Sequence, residues 1–270
     1  MTRIDETFAA LKARGRTGLI AYLTVGFPDV ETTLELAPAV VEAGVDLIEL
    51  GVPFSDPLAD GVTIQRSSQA ALRHGVTLET CLEVCETLRK SMPLVPLVLM
   101  GYYNPFLAYG IDRFARRAVA CGADGVIVPD LPPEEAGPLV KASRAQGLEV
   151  IFLLAPTSPD RRMEEVGRWA GGFLYCVSLT GVTGARRQLP SDLAAFLGRV
   201  RRHTTLPLAV GFGVSDEEHV RAIGQHAQAA IVGSALIEAM EEGGPGKHVE
   251  YARRFVARLA RGASVKVRSG

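Results

Sequence analysis

Eight short apolar runs, each followed by a helical pattern, recur from one end of this 270-residue chain to the other. The runs are Leu19–Val25, Asp46–Leu50, Leu97–Gly101, Gly125–Val128, Glu149–Leu154, Phe173–Val177, Leu208–Gly211 and Ala229–Val232. Several are almost continuous in apolar residues, the pattern of strands buried on both faces of a parallel sheet. Between them lie helical stretches at Val30–Ala43, Leu78–Lys90, Asp112–Cys121, Glu134–Gln146, Pro159–Trp169, Asp192–Arg202 and Asp216–Gly224. Many start at Asp, Thr or Ser or end at Gly, as helix caps require. Eight strand–helix repeats predict an α/β fold of the (β/α)8 TIM-barrel type, here with an extra N-terminal helix. An open doubly wound sheet competes, but it usually has fewer strands and a glycine-rich first turn. The first strand runs into Val25-Gly26-Phe27-Pro28-Asp29, which lacks that fingerprint, so the barrel is preferred. Gly243-Gly244-Pro245-Gly246 reads as a turn before a last helix, not as a linker. The expectation is a single domain over 1–270 with a fraying basic tail from 261 to 270.

Composition narrows the function classes. A hydrophobic fraction of 47% supports a large core, and a net charge of −1 gives no general affinity for nucleic acid or an anionic membrane. Cys81, Cys85, Cys121 and Cys176 have no zinc or disulfide-framework spacing, and the five histidines form no ligand cluster. The start Met1-Thr2-Arg3-Ile4-Asp5-Glu6 has no apolar signal core, and no apolar run is long enough to span a bilayer. These features predict a cytoplasmic chain that holds no metal.

In such a barrel, chemistry belongs at the C-terminal ends of the strands and in the loops after them. Glu49 falls at the end of the second strand, and Asp60 lies in the following loop, Gly51-Val52-Pro53-Phe54-Ser55-Asp56-Pro57-Leu58-Ala59-Asp60-Gly61. Taken alone, a carboxylate pair of this kind caps a strand and turns a loop. Placed at a barrel mouth, it is also the residue type that moves protons. Asp56 shares the loop, so spacing does not say which Asp takes part. A second group is rich in glycine: Gly181-Val182-Thr183-Gly184, Gly211-Phe212-Gly213 and Gly233-Ser234 follow the sixth, seventh and eighth strands. Glycine lets backbone N–H groups approach an anion, and a helix starting at Ser234 would aim its N-terminus there. Three such turns at consecutive strand ends predict a phosphate site. Tyr22, Met100, Tyr102, Ile127, Tyr175 and Phe212 sit at or just past strand ends and together suit the wall of a flat aromatic group.

The strings Ile48–Gly61 with Thr63-Ile64-Gln65, Met100-Gly101-Tyr102-Tyr103-Asn104-Pro105, Val128-Pro129-Asp130-Leu131-Pro132, Gly181–Gly184, Gly211–Gly213 and Gly233-Ser234 occur in one order along the chain. With them the chain resembles the tryptophan synthase alpha subunit family from about Phe8 to the last helix. That resemblance implies a lyase of tryptophan biosynthesis, a (β/α)8 barrel cleaving indole-3-glycerol phosphate to indole and glyceraldehyde 3-phosphate. It implies Glu49 and Asp60 as the catalytic pair, Glu49 exchanging protons with indole C3 and the side-chain hydroxyl, and Asp60 accepting the ring N–H. It implies phosphate held by Gly184, Gly213, Gly233 and Ser234, with Thr183 helping to close the Gly181–Arg187 loop and Tyr175 flanking Glu49. Pro53, Asp56 and Asn104 would face a beta subunit in an α2β2 heterotetramer, and the pyridoxal phosphate (PLP) would belong to that beta subunit, with no cofactor in this chain. Val62 departs from a frequent family proline, and Leu179-Thr180 differs from some members. A stand-alone lyase releasing free indole shares every one of these motifs and is the alternative. A silent binding barrel, or another phosphate-binding barrel such as a sugar-phosphate isomerase, fits the Glu49–Asp60 string less well.

Overall fold

The computed structural model describes residues 1–177, 192–211 and 213–263. Thr183, Gly184, Phe212, Leu179-Thr180 and the Gly181–Arg187 loop lie outside the described residues, as does the tail beyond 263.

Nine strand segments, all pairing in parallel, form one sheet: β1 (Gly18–Thr24), β2 (Leu47–Gly51), β3 (Leu97–Met100), β4 (Gly125–Ile127), β5 (Glu149–Ile151), β6 (Leu153–Leu154), β7 (Leu174–Val177), β8 (Leu208–Gly211) and β9 (Ala229–Val232). Their order is β5-β4-β3-β2-β1-β9-β8-β7-β6. β5 and β6 are the two halves of the single fifth strand expected at Glu149–Leu154, parted at Phe152. The first half pairs with β4 and the second with β7, so the ends of the sheet meet and the barrel closes on eight strands. This geometry follows from a staggered barrel, in which each strand is shifted against its neighbours and cannot match both along its full length.

The described helices are α1 (Arg3–Ala13), α2 (Val30–Glu42), α3 (Val62–Arg73), α4 (Leu78–Ser91), α5 (Tyr103–Tyr109), α6 (Ile111–Ala120), α7 (Gly137–Gln146), α8 (Asp160–Trp169), α9 (Leu193–Arg201), α10 (Glu217–Ile223), α11 (Ser234–Gly243) and α12 (His248–Gly262), of which α3 and α5 are not among the stretches the periodicity predicts. Side chains start several of them. The Asp29 carboxylate accepts from Thr32 N, Asp216 from His219 N, and Thr2 forms a reciprocal box with Asp5. The helix expected over Glu134–Gln146 is instead a 3-10 turn at Pro133–Glu135 followed by α7, because Pro138 near the start of α7 has no N–H for a bond back into that turn. The tail expected to fray from 261 remains helical through Gly262, where Gly262 packs against the backbone of Glu217.

Two cores result. Outward-facing strand residues such as Leu19, Leu50, Leu99 and Val210 pack under the helices. Inward-facing residues Ile20, Leu47, Val98, Ile127, Ile151 and Ile231 fill the barrel. The lower end is plugged by α1, whose Ile4, Phe8 and Leu11 join that inner core, with Phe8 5.8 Å from Phe173. Buried carboxylates at the strand starts fasten this end. Asp124 accepts from Arg89 (2.7 Å), Arg3 (2.9 Å) and Leu97 N (2.8 Å). The inner apolar core thus fills the lower part of the barrel, and the upper mouth brings polar groups together beside a few apolar side chains.

Candidate active site

The register of the strands decides what reaches that mouth. Tyr22 on β1 and Val98 on β3 flank Glu49 on β2 in one row, and all three point inward by the alternation that buries Ile20 and Leu47 one layer below. Glu49 is completely buried, and neither carboxylate oxygen has a hydrogen-bond partner among the described residues. A buried carboxylate without partners disfavours its own ionisation. Burial accordingly pushes the Glu49 carboxyl up to about 8.

Asp60 approaches the same mouth from the loop after β2. Its loop is pinned by Tyr102, whose hydroxyl accepts from Ala59 N at 2.8 Å while its ring stacks on Phe54 at 5.2 Å. Asp60 N donates to Pro57 O at 3.0 Å, and Gln65 Nε2 donates to Asp60 O at 2.9 Å. Partial burial raises the Asp60 carboxyl to about 6, with a hydrogen bond from Tyr102 acting in the opposite direction. Asp56 is exposed and accepts from Ser55, so the two aspartates that sequence spacing left equivalent differ in three dimensions.

Between these groups and β8–β9 lies a cavity of about 180 Å³. One side is formed by Tyr22, Asp60, Ile64, Met100 and Tyr175, the other by Gly211, Gly213, Val214, Ile231, Gly233, Ser234 and Ala235. Two glycines make room for its phenols. A Cβ on Gly51 would stand 2.2 Å from the Tyr22 hydroxyl oxygen, and one on Gly211 would stand 2.7 Å from that of Tyr175. The Tyr22 and Tyr175 hydroxyls are held protonated, first by burial and then by the nearby charges of Asp60 and Glu49. They can therefore donate a hydrogen bond and cannot compete as bases.

Opposite the phenols, α11 begins at the cavity. Gly233 caps it without a side-chain bond, and the first N–H groups that bond back into the turn belong to Leu236 and Ile237. The N–H groups of Ser234 and Ala235 precede the helical ladder, leaving donors and the positive end of the helix dipole beside the cavity. Gly213, at φ +57, takes the left-handed conformation that glycine adopts without strain. This is a fitting cradle for an anion.

Of the residues singled out from sequence, Tyr22, Met100, Tyr175, Asp60, Gly213, Gly233 and Ser234 line this cavity, with Glu49 buried beneath its mouth. Tyr102 acts one step back, on the Asp60 loop, and Ile127 sits in the inner core below. Ile64, Val214, Ile231 and Ala235 were not singled out. The inward alternation along β9 marks Ile231, whereas Ile64 enters through a helix that the periodicity did not mark. Pro53 is buried at the base of the loop, while Asp56 and Asn104 are exposed on the rim. Among the described residues no group of three or more His, Cys, Asp or Glu could hold a metal, and no helix is long and apolar enough to cross a membrane.

Comparison with known proteins shows the family of the chain. The family described as tryptophan synthase alpha chain matches residues 8–265. The alpha chain of Roseiflexus castenholzii is 59% identical over 97% of this chain and 100% of its own length. That of Chloroflexus aggregans is 51% identical over 96% and 97%. Among solved structures, the alpha subunit of Legionella pneumophila superposes with a TM-score of 0.91 at 37% identity, covering 97% of this chain and 98% of the other. A chain of Mycobacterium tuberculosis tryptophan synthase gives 0.90 at 40% identity, covering 98% and 99%. The chain belongs to the tryptophan synthase alpha chain family.

Proposed function

We propose that Glu49 and Asp60 carry the alpha reaction in this chain, the cleavage of indole-3-glycerol phosphate to indole and glyceraldehyde 3-phosphate, within a single barrel domain over 1–270. The bond to be broken joins indole C3 to the hydroxyl-bearing carbon of the side chain. Indole leaves poorly as a carbanion, so C3 must gain a proton before or as the bond breaks. The observation that carries the assignment is the fully buried, unpartnered Glu49 carboxyl, which holds its proton at neutral pH. It delivers that proton to C3, then accepts the one from the side-chain hydroxyl as the carbonyl forms, and so returns to its starting state. Asp60, raised only to about 6, is ionised at the same pH. It accepts the indole N–H and stabilises the positive charge that C3 protonation puts on the ring. Two carboxyls pushed to different values by their surroundings thus divide the acid and the anionic role.

The substrate phosphate lies at the N-terminus of α11, against the N–H groups of Ser234 and Ala235 and beside Gly213 and Gly233, and Thr183 and Gly184 complete the set. Tyr22, Met100 and Tyr175 bound the indole and the side chain, with Phe212 joining them. The released indole passes to a PLP-dependent beta subunit in an α2β2 complex, which docks over Pro53, Asp56 and Asn104, and the assembly works in the cytoplasm. The family relationship and the exposed rim residues support this reading. Glu49→Gln keeps the volume and removes the titrating group. Indole release should fall by about three orders of magnitude or more, while affinity for glyceraldehyde 3-phosphate stays within about threefold. Turnover close to that of the unaltered chain would remove Glu49 from the mechanism.

A further inference from the structure

Helix α3 is attached to the barrel differently from its neighbours. Its buried stripe consists of Thr63, Ser67, Ser68 and Ala71, whereas α4 anchors itself with Leu78, Leu82, Val84 and Leu88. Small hydroxyl side chains contribute little apolar burial and require hydrogen-bond partners once buried. Two of them have such partners. Ser67 Oγ lies 2.7 Å from Thr24 Oγ1, within hydrogen-bond distance, and is 2.9 Å from Ile64 O, to which it donates. Thr63 Oγ1 donates to Glu238 on α11 at 2.9 Å, and Arg66 pairs with Glu241 one turn further along. Thr24 is the last residue of β1, and the Tyr22 hydroxyl lies beside it.

The position of α3 bears on the chemistry because the helix begins at Val62, two residues after Asp60, and Ile64 in its first turn lines the cavity. Gln65 on the same turn holds the Asp60 carbonyl. The helix therefore hangs between the end of β1, through Thr24–Ser67, and the helix whose N-terminus faces the anion cradle, through Thr63–Glu238. No bulky apolar side chain among its buried residues fixes it independently.

We propose that Thr24 and Ser67 are positioning residues of the alpha reaction: their mutual hydroxyl bond sets the height of α3 and thereby holds the Asp60 carboxylate where the indole N–H arrives. The inference rests on the assignment of Asp60 above. It separates from a purely structural role because misplacing a catalytic group affects the chemical step, whereas general loosening lowers stability without slowing the folded enzyme.

The test is steady-state cleavage of indole-3-glycerol phosphate by the full chain with a beta subunit present. Thr24→Val keeps the shape and removes the hydroxyl, Thr24→Ser keeps the hydroxyl, and Ser67→Ala removes the other partner. The first and third should lower kcat roughly tenfold with KM changed less than about twofold. Thr24→Ser should recover kcat to within about twofold, and the Thr24→Val/Ser67→Ala double variant should be no slower than either single one, since both act through one bond. Ser67→Ala carries the test alone if Thr24→Val does not fold. Asp60→Asn is measured alongside. If it is inactive while Thr24→Val and Ser67→Ala retain full kcat, the positioning role is overturned. A Thr24→Ser variant as slow as Thr24→Val overturns it too. Turnover surviving in Asp60→Asn overturns the reading of Asp60 and this inference with it.

Discussion

At the scale of single residues, the site depends on one carboxyl kept out of water. Glu49 is raised to about 8 by burial and Asp60 to about 6. In the free enzyme the active form has Glu49 protonated and Asp60 ionised. The pH profile of kcat/KM for indole-3-glycerol phosphate should thus be bell-shaped, with limbs near 6 and 8. A profile flat from pH 5 to about 9 would contradict the division of roles. Stability carries the same signature with a defined sign. The unfolded carboxyl ionises near 4.5, the folded one near 8. Between these values the folded state binds the extra proton, so this group's contribution to stability is complete below the lower value and is lost as pH rises through the upper one. Glu49→Gln should therefore leave stability almost unchanged at pH 4 and raise it by roughly 5 kcal/mol at pH 9. Paired urea titrations at the two pH values measure this. Sequence already placed Glu49 at a strand end, but spacing alone could not choose between Asp56 and Asp60, and only the family resemblance pointed to Asp60. That choice depends on where Tyr102 meets the loop, 43 residues away in sequence, and long-range placement of this kind leaves no mark in local spacing.

At the scale of elements, the anion cradle is a helix end left without a side-chain cap. Ser234→Asp would place a carboxylate in the first turn of α11, where the helix dipole favours it, and should stabilise the chain by about 0.3–1 kcal/mol. The same charge would repel the substrate phosphate, so KM for indole-3-glycerol phosphate should rise at least about tenfold. Thermal melting and steady-state kinetics on one preparation separate the two effects, and an unchanged KM would remove α11 from phosphate binding. The strands were legible because buried parallel strands are nearly all apolar, and the positions of all eight agree to within a residue or two with the expected runs. The break at Phe152 was not legible, since it arises from a change of partner from β4 to β7. Nor were α3 and α5 marked by periodicity: α3 buries hydroxyls where leucines would have signalled a helix, and α5 is a seven-residue helix with Pro105 inside it.

At the scale of the whole molecule, the barrel separates support from chemistry. Its lower end is closed by α1 and by Asp124 with its arginines, and its upper end holds the carboxyls, the phenols and the cradle. Three of the large apolar side chains that remain in water lie on the rim around that upper end. Leu58 is 93% exposed, Val62 63% and Leu107 52%, on the loop after β2, the start of α3 and α5, the elements that carry Asp56 and Asn104. Apolar surface of this kind next to an active site suits a docked subunit that receives the product. Leu58→Asp should weaken binding of the beta subunit by about tenfold or more and leave cleavage by the isolated chain within about twofold. Titration calorimetry with the beta subunit, paired with the uncoupled rate, checks this. The most direct measurement of the account as a whole is indole release from indole-3-glycerol phosphate by the unaltered chain and by Glu49→Gln, each with and without the beta subunit. The account predicts slow release by the unaltered chain alone, a sharp rise with the partner, and no release by Glu49→Gln in either condition. Release by Glu49→Gln that rises with the partner in the same way would contradict it.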